Sequence, residues 1–270
     1  MKNNSLKPVL AFAMLSIIIC SCEKKAEIDT ETQTSVDNTI AESAFTQVFP
    51  TVNEVSINEE GVRSTNSSCA TYTVIGDTAN FPANGPVTIV ISYDSTAGCL
   101  DSDGRFKKGK LLAVFNDEWD KTGSTIEITL KDYYVNNINY SGMVIATNNG
   151  NNSYSTAVVN GKCIDLAWTI EYASNSTVEQ IAGVDTPSDD LDNVFKFTGS
   201  ASGVNRKGRK FTTNIVTPLT KRANCNWIES GIMKITPDSL AARSLNFGDG
   251  TCNNDAVINI NGNNYDIKLE

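Results

Sequence analysis

The stretch Ser124-Thr-Ile-Glu-Ile-Thr-Leu-Lys131 decides the fold class. Apolar residues occupy every second position in it, and threonine, glutamate and lysine occupy the positions between. In an extended chain, successive side chains point to opposite faces, so this period of two is typical of a β-strand with one buried face. Further short apolar or alternating stretches with polar connections follow it, and the composition is rich in β-branched residues, Asn, Ser and Gly.

Two Asn-Gly pairs predict tight hairpin turns. Asn160-Gly161 separates the stretch Tyr154 to Val159 from the alternating stretch Lys162 to Tyr172, and Asn261-Gly262 separates the last two apolar stretches. Asn-Gly favours the left-handed backbone of a two-residue hairpin turn. About a dozen strands with short connections and no long helical crossover predict an all-β domain over residues 69–270, either a large antiparallel sandwich or an open barrel.

The strand and turn pattern partly recurs along this domain. A duplicated unit with related halves, 69–172 and 194–270, would explain the recurrence, and so would similar turn chemistry within one large sheet.

One amphipathic helix is predicted before the β domain, over residues 37–57. Apolar residues recur there at steps of three and four. Ser35 or Asp37 can cap the start, and Pro50 is expected to kink or split the helix. Residues 22–36 are polar and poor in apolar side chains, which predicts a flexible tether.

The N-terminus has the pattern of a lipoprotein signal. The apolar run from Pro8 to Ile19 follows two lysines and is about 12 residues long, whereas a membrane-spanning helix needs about 20. The run ends in Ile19-Cys-Ser-Cys22, which resembles the lipobox of the class cleaved by signal peptidase II. Residues 1–21 are therefore predicted to be removed, and the thiol of Cys22 to carry diacylglycerol beside an N-acyl chain. Acylation at Cys20 and an ordinary secretory signal are the alternatives.

This anchor predicts where the protein is held. Acyl chains buried in the bilayer attach a protein stably without a membrane span. The expected location is the cell outer membrane, on its periplasmic or its surface-exposed face.

Composition excludes several function classes. The net charge of −9 and the pI of about 4.7 argue against nucleic-acid binding, which needs a basic surface. The chain has no histidine, which removes Ser-His and Cys-His catalysis and most zinc sites. No cofactor is predicted, and any hydrolase would depend on paired carboxylates.

The cysteines predict two disulfides. Beyond the leader there are five, and an exported protein meets an oxidising compartment. Cys69 and Cys99 are 30 positions apart, and Cys225 and Cys252 are 27 apart, which favours these two pairs. Cys163 lies in an alternating stretch and is predicted to be a buried free thiol. Other pairings, or reduced cysteines, are the alternatives.

Two weak patterns suggest binding sites. Asp101 and Asp103, with Asp94 nearby, resemble part of a calcium loop, although a polar hairpin turn explains the same residues and no bidentate glutamate follows.

Three aromatic side chains suggest a sugar-stacking platform. They are Trp119, Tyr133 and Tyr134, and the alternative for them is the hydrophobic core.

Several motifs together resemble a family of Bacteroidota outer-membrane lipoproteins without an assigned activity. They are the lipobox, Ala41-Glu-Ser-Ala-Phe45, Cys99-Leu-Asp-Ser-Asp-Gly-Arg105 with Lys108-Gly-Lys110, Asn205-Arg-Lys-Gly208, Cys225-Asn-Trp227 and Gly248-Asp-Gly-Thr-Cys252. The resemblance implies a β-rich exported domain and carries over no catalytic residue.

The function expected from these observations is a membrane-anchored, non-catalytic binding or structural module. The alternatives are a glycan-binding surface lipoprotein of a nutrient-uptake system and a carboxylate-based glycoside hydrolase. Besides the membrane, the expected partner is a glycan or another envelope protein.

Overall fold

The chain folds into one helix and a large antiparallel sheet. A computed structural model describes residues 28–53, 57–58, 61–62, 69–101, 104–186 and 190–269. The predicted leader and the predicted lipidation site at Cys22 lie outside these residues. Among the described residues, no helix combines the length and the hydropathy that crossing a membrane requires.

The helix α1 spans Gln33–Asn53, and Thr78–Asn80 and Asp190–Asp192 form short 3-10 turns. The strands are β1 (Ile57–Asn58), β2 (Gly61–Val62), β3 (Thr71–Ile75), β4 (Val87–Tyr93), β5 (Cys99–Leu100), β6 (Phe106–Phe115), β7 (Thr125–Val135), β8 (Ile138–Gly150), β9 (Ser153–Ile164), β10 (Thr169–Ala182), β11 (Val194–Val204), β12 (Lys210–Arg222), β13 (Ser230–Pro237), β14 (Arg243–Asp249), β15 (Asp255–Ile260) and β16 (Asn263–Lys268).

Strands β3 to β16 form one 14-stranded open sheet, so the predicted all-β class is confirmed. From β6 onward each strand pairs with its chain neighbour; β3 and β4 complete the sheet beside β6, and the short β5 pairs with β6 alone. The sheet is not closed into a barrel, and β1 and β2 form a separate two-stranded ladder. Short connections suffice for this order because neighbouring strands run in opposite directions.

The connections between strands divide between two ends of the sheet. We call proximal the end with the connections that follow β5, β7, β9, β11, β13 and β15. We call distal the end with the connections that follow β3, β6, β8, β10, β12 and β14. The helix α1 runs from the proximal end, where Asp37 contacts Arg206, to the distal end, where Phe49 packs on Trp119.

Two hydrophobic cores lie along the sheet. The first packs the apolar face of α1 against β4, β6 to β10 and Phe211 of β12, and the second lies among β10 to β16. The long strand β10 belongs to both, since Ile170 is buried in the first core and Val178 in the second. The two cores overlap the predicted halves, but the sheet between them is continuous, and the duplication stays a prediction.

The first predicted hairpin turn is wrong in its position. Asn160 and Gly161 lie inside β9, at a bulge where the register with β10 shifts, and the chain turns instead through Asp165 to Trp168. Asn160 has the positive φ of 53° that the pattern predicts, but its backbone bends the strand instead of ending it. Leu166 consequently lies at the tip of the turn, fully exposed. The second turn, at Asn261-Gly262, is confirmed.

The helix begins four residues earlier than predicted and is not split at Pro50. The carboxylate of Glu31 accepts hydrogen bonds from the backbone N–H of Thr34 at 2.8 Å and from the Thr34 hydroxyl at 3.0 Å. It therefore supplies an acceptor to a backbone N–H of the first turn, which has no partner within the helix. Part of the segment predicted to be a tether is therefore ordered helix or helix cap.

Buried Arg243 of β14 fastens the residues before the helix. Its Nη2 lies 2.9 Å from Asp29 Oδ2 and its Nη1 lies 2.8 Å from Glu31 Oε2, and it also donates to the backbone carbonyls of Glu31 and Ala241. The Arg243 side chain is 0% exposed. A buried guanidinium is tolerated only when its donors are satisfied, and here carboxylates and carbonyls satisfy them.

A second ion pair fastens the first turns of α1. The carboxylate of Asp37, which is 0% exposed, accepts from Arg206 Nε at 2.6 Å and from the Arg206 backbone N–H at 2.8 Å. The guanidinium of Arg206 also lies 4.1 Å from the ring centre of Trp168, and Asn205 donates to the hydroxyl of Thr34 at 2.9 Å. Asp37 therefore pairs with the β11–β12 connection instead of capping the helix.

Both predicted disulfides are present. Cys69–Cys99 fastens the start of the sheet at the proximal end, and Cys225–Cys252 joins two distal connections. Cys163 is a free thiol with no exposed surface, and burial raises the pKa of this thiol well above its usual range. It is therefore a protonated core side chain.

We predict that Arg243→Met lowers the free energy of unfolding by about 3–5 kcal/mol, because it leaves two partly buried carboxylates without their cation. Urea denaturation followed by circular dichroism measures this change. The matched control is Lys268→Met, which removes an exposed partner of Asp255 and should cost less than about 1 kcal/mol. Equal costs for the two variants would contradict the role of Arg243.

Candidate functional site

An open trough lies on the face of the sheet opposite α1. It has a volume of about 990 Å³ and crosses β9 to β13 near the proximal end. Along each strand, the side chains that face the trough alternate with side chains that face the core. Tyr172 and Phe211 are of the second kind: they point to the helix side and are 4% and 3% exposed. We call this cavity the outer trough.

The floor of the outer trough is one row of small side chains. Strand pairing places Ala173 beside Ser202, Ser202 beside Thr212, and Thr212 beside Thr236. Directly paired residues point to the same face, so these four side chains line up across the strands. Three of them carry hydroxyl groups, which both donate and accept hydrogen bonds.

A second row, nearer the proximal end, carries charges of both signs. Lys162 pairs with Glu171, Glu171 with Val204 and Val204 with Lys210, while the backbone N–H of Asp238 donates to the carbonyl of Lys210. Lys162 Nζ lies 3.6 Å from Glu171 Oε1, and both side chains are about half exposed. Water screens such a pair strongly, so a ligand can exchange with it at small cost.

Two glycines between these rows let the sheet and the core pack closely, since a side chain at either position would point to the helix side. A Cβ at Gly203 would lie 2.2 Å from the carbonyl oxygen of Glu171, and a Cβ at Gly161 would lie 2.7 Å from that of Tyr172. No side chain fits at either position without moving a neighbouring strand. The outer trough therefore combines hydroxyls and charges.

A second cavity, which we call the helix crevice, lies between α1 and the second core. It holds about 60 Å³, and its walls include Phe197, Leu219, Trp227 and Phe247 opposite Glu42. That volume accommodates a few water molecules at most. Trp227 forms part of this wall and packs against the second core.

Glu42 is a titratable group of the helix crevice with a strongly shifted pKa. Loss of hydration on burial raises the pKa of Glu42 to about 7, and a hydrogen bond from Asn38 Nδ2 at 3.2 Å partly opposes the rise. Sequence reasoning missed this site, because Glu42 reads as a solvent-facing residue of an amphipathic helix. Only the packing of α1 against the second half of the sheet partly encloses it.

The predicted aromatic platform is not assembled. Trp119 is half-buried at the distal end, with its ring centre 4.8 Å from that of Phe49. Tyr133 is 4% exposed in the first core. Tyr134 lies near the proximal end of β7 under the ammonium of Lys108, which is 4.4 Å from its ring centre. The core interpretation thus holds for Tyr133, and the three rings share no surface.

The predicted calcium ligands have other partners. Asp94 accepts from the backbone N–H groups of Thr96 at 2.7 Å and Ala97 at 2.9 Å, as in a polar turn. Asp101 is buried beside Lys107 Nζ at 2.8 Å. Asp103 lies outside the described residues, so a calcium site that includes it stays a prediction.

One other group of possible metal ligands occurs among the described residues, and it consists of Cys225, Glu229 and Cys252. Its two sulfurs are joined in a disulfide, so neither is a thiolate that could bind a metal.

Comparison with known proteins gave no identification: no protein-family model, curated protein or solved structure matches the chain. The resemblance to Bacteroidota lipoproteins therefore stays a prediction from the motifs.

We predict that Glu42→Gln stabilises the protein at pH 8 by on the order of 2 kcal/mol. Because the folded pKa of about 7 exceeds the unfolded value of 4.5, the folded state binds this proton more readily. The Glu42 contribution to the free energy of unfolding therefore falls as the pH rises from 4.5 to 7, and stays low above that.

Urea denaturation of both proteins at pH 4 and pH 8 measures the effect. At pH 4 the wild-type side chain is protonated and close in shape to glutamine, so that condition is the control. The same difference in stability at both pH values would contradict the burial of an ionisable Glu42.

Proposed function

We propose that the protein is a membrane-anchored, non-catalytic binding module of the bacterial envelope, and that it binds a hydroxyl-rich or charged polysaccharide in the outer trough. The trough itself carries the proposal. Its floor of Ser202, Thr212 and Thr236 offers hydroxyls, and its second row offers ammonium and carboxylate groups. Sugar hydroxyls and acidic sugar groups are complementary to both.

The mode of binding differs from the stacking that the sequence suggests. Among the residues that line the outer trough, the two aromatic side chains are those of the buried Tyr172 and Phe211. Affinity would therefore come from hydrogen bonds and ion pairs along an extended ligand. Such contacts give specificity, while each contributes modestly because water competes for the same groups.

The anchor is the second part of the proposal. The lipobox places an acylated Cys22 six residues before Ile28, the first described residue. A polar, acidic domain held by lipid suits a position outside the cytoplasm, and two disulfides suit an oxidising compartment.

We predict that Thr212→Trp weakens ligand binding at least about tenfold, which corresponds to about 1.4 kcal/mol, because the indole fills the floor of the outer trough. A glycan array selects the polysaccharides that the wild-type protein retains, and calorimetry then compares the variants. The matched control is Asn214→Trp, two residues further along the same face of β12 and outside the trough. Equal losses in both variants, or retention of no glycan, would contradict the proposed site.

We predict that Cys22→Ala moves the protein from the membrane fraction to the soluble fraction, since the thiol that the predicted lipobox presents for acylation is then missing. Cell fractionation and mass spectrometry measure the change. Cys20→Ala is the matched control, because Cys20 lies in the predicted leader and its loss should leave the anchor intact. If Cys22→Ala stays in the membrane and Cys20→Ala leaves it, the register of the lipobox is wrong.

A further inference from the structure

The chain enters the folded domain at the proximal end of the sheet. Asp29 forms an ion pair with Arg243, which is the first residue of β14. Ile28, which precedes Asp29 in the chain, is 71% exposed. Any anchor that precedes Ile28 in the chain therefore pulls on this end.

The number of residues before Ile28 limits how the domain can sit on a membrane. Cys22 and Ile28 are six residues apart, and an extended chain covers at most about 20 Å over that number. The strand β10 has 14 residues, so the distal end lies on the order of 40 Å from the proximal end. A domain anchored at Cys22 cannot stand on the bilayer by its distal end.

Exposed apolar side chains occupy the tips of the proximal connections. Leu166 is fully exposed at the β9–β10 turn, and Leu100 and Phe106, which pair across β5 and β6, are 58% and 49% exposed. Large apolar side chains at loop tips are the groups that enter a lipid headgroup layer at low cost.

The distal end also exposes apolar residues, but its connections carry a clear excess of acidic residues, whereas the proximal connections hold about equal numbers of acidic and basic residues. Ile181, Val184 and Leu191 lie in or beside the β10–β11 connection, which contains acidic residues and no basic one. The connections 116–124 and 183–193 together contain seven acidic residues and one basic residue. An anionic lipid surface repels this end.

The proximal end has a basic connection. The β11–β12 connection, 205–209, contains Arg206, Lys207 and Arg209 and no acidic residue. Lys207 is exposed. Arg209 is half-buried, and its Nη1 donates a hydrogen bond to the backbone carbonyl of Asp238 at 2.6 Å. Because a carbonyl is neutral, this bond does not neutralise the positive charge of the Arg209 guanidinium. A basic residue near an anionic surface strengthens adsorption about fivefold.

We propose that the proximal end of the sheet rests on the lipid surface, with Leu100, Phe106 and Leu166 among the headgroups and Lys207 and Arg209 beside anionic phosphates. This inference rests on the proposed attachment at Cys22 and adds to it an orientation: the sheet stands on the membrane and the acidic distal end points away. The occupant of the apolar tips is the lipid bilayer, because the short link to Cys22 holds these tips next to it.

The test uses the mature chain from Cys22 onward, coupled through the Cys22 thiol to a maleimide lipid. The vesicles consist of phosphatidylethanolamine and phosphatidylglycerol with brominated acyl chains that quench tryptophan. Leu166→Trp and Phe106→Trp place a probe at the proximal end, and Leu191→Trp places one at a distal leucine that is 66% exposed. The emission of Trp119, Trp168 and Trp227 in the wild-type protein is subtracted.

The proposal expects a blue shift and a loss of intensity for the added tryptophan at 166 and 106, and neither change at 191. Equal quenching at both ends, quenching at 191 alone, or no quenching at any position would overturn it. If the proximal probes escape the lipid because two copies of the chain associate through this end, analytical ultracentrifugation shows the dimer, and the proposal is equally overturned. Because the lipid is attached chemically, these results are independent of cellular acylation, which the Cys22→Ala fractionation tests separately.

Discussion

The contacts of buried Arg243 with Asp29 and Glu31 hold the N-terminal segment in place, and the position of the helix depends on them. Glu31 is bound by Arg243 and caps α1 at the same time, so one arginine of β14 fixes where the helix begins. The ion pair of Asp37 with Arg206 then sets the direction of the helix across the sheet. The apolar face of α1 covers the first core only along that path, and the same path encloses Glu42 beside the second core.

The outer trough and the proximal end are consequences of the same strand register. Lys162, Glu171 and Lys210 lie close to the proximal ends of their strands, and the row of small residues follows two positions further in. The sheet presents this polar surface on the face that α1 leaves uncovered. In the proposed orientation, a ligand in the outer trough is held beside the bilayer instead of at the outermost tip of the domain.

The sequence predicts the strands well where the signal is local. Ile126, Ile128 and Leu130 alternate in the chain and are all buried, because alternation directly reflects the two faces of a strand. Asn160-Gly161 misleads because a turn and a bulge both require a positive φ. A distant contact decides between them: a Cβ at Gly142 would lie 2.8 Å from the carbonyl oxygen of Asn160, so two bent strands pack closely there. The start of α1 and the outer trough depend on contacts between residues far apart in the sequence, which no local pattern contains.

The sequential order of the sheet has a consequence for the proposed export. A polypeptide that crosses a membrane amino-terminus first delivers α1 and then each strand beside the one already delivered, from β6 to β16. Most pairings therefore close short loops, which lowers the entropic cost of each step and favours fast formation. Translocation and folding can then advance together, one hairpin at a time, and the last strands supply Arg243 to secure the segment that emerged first.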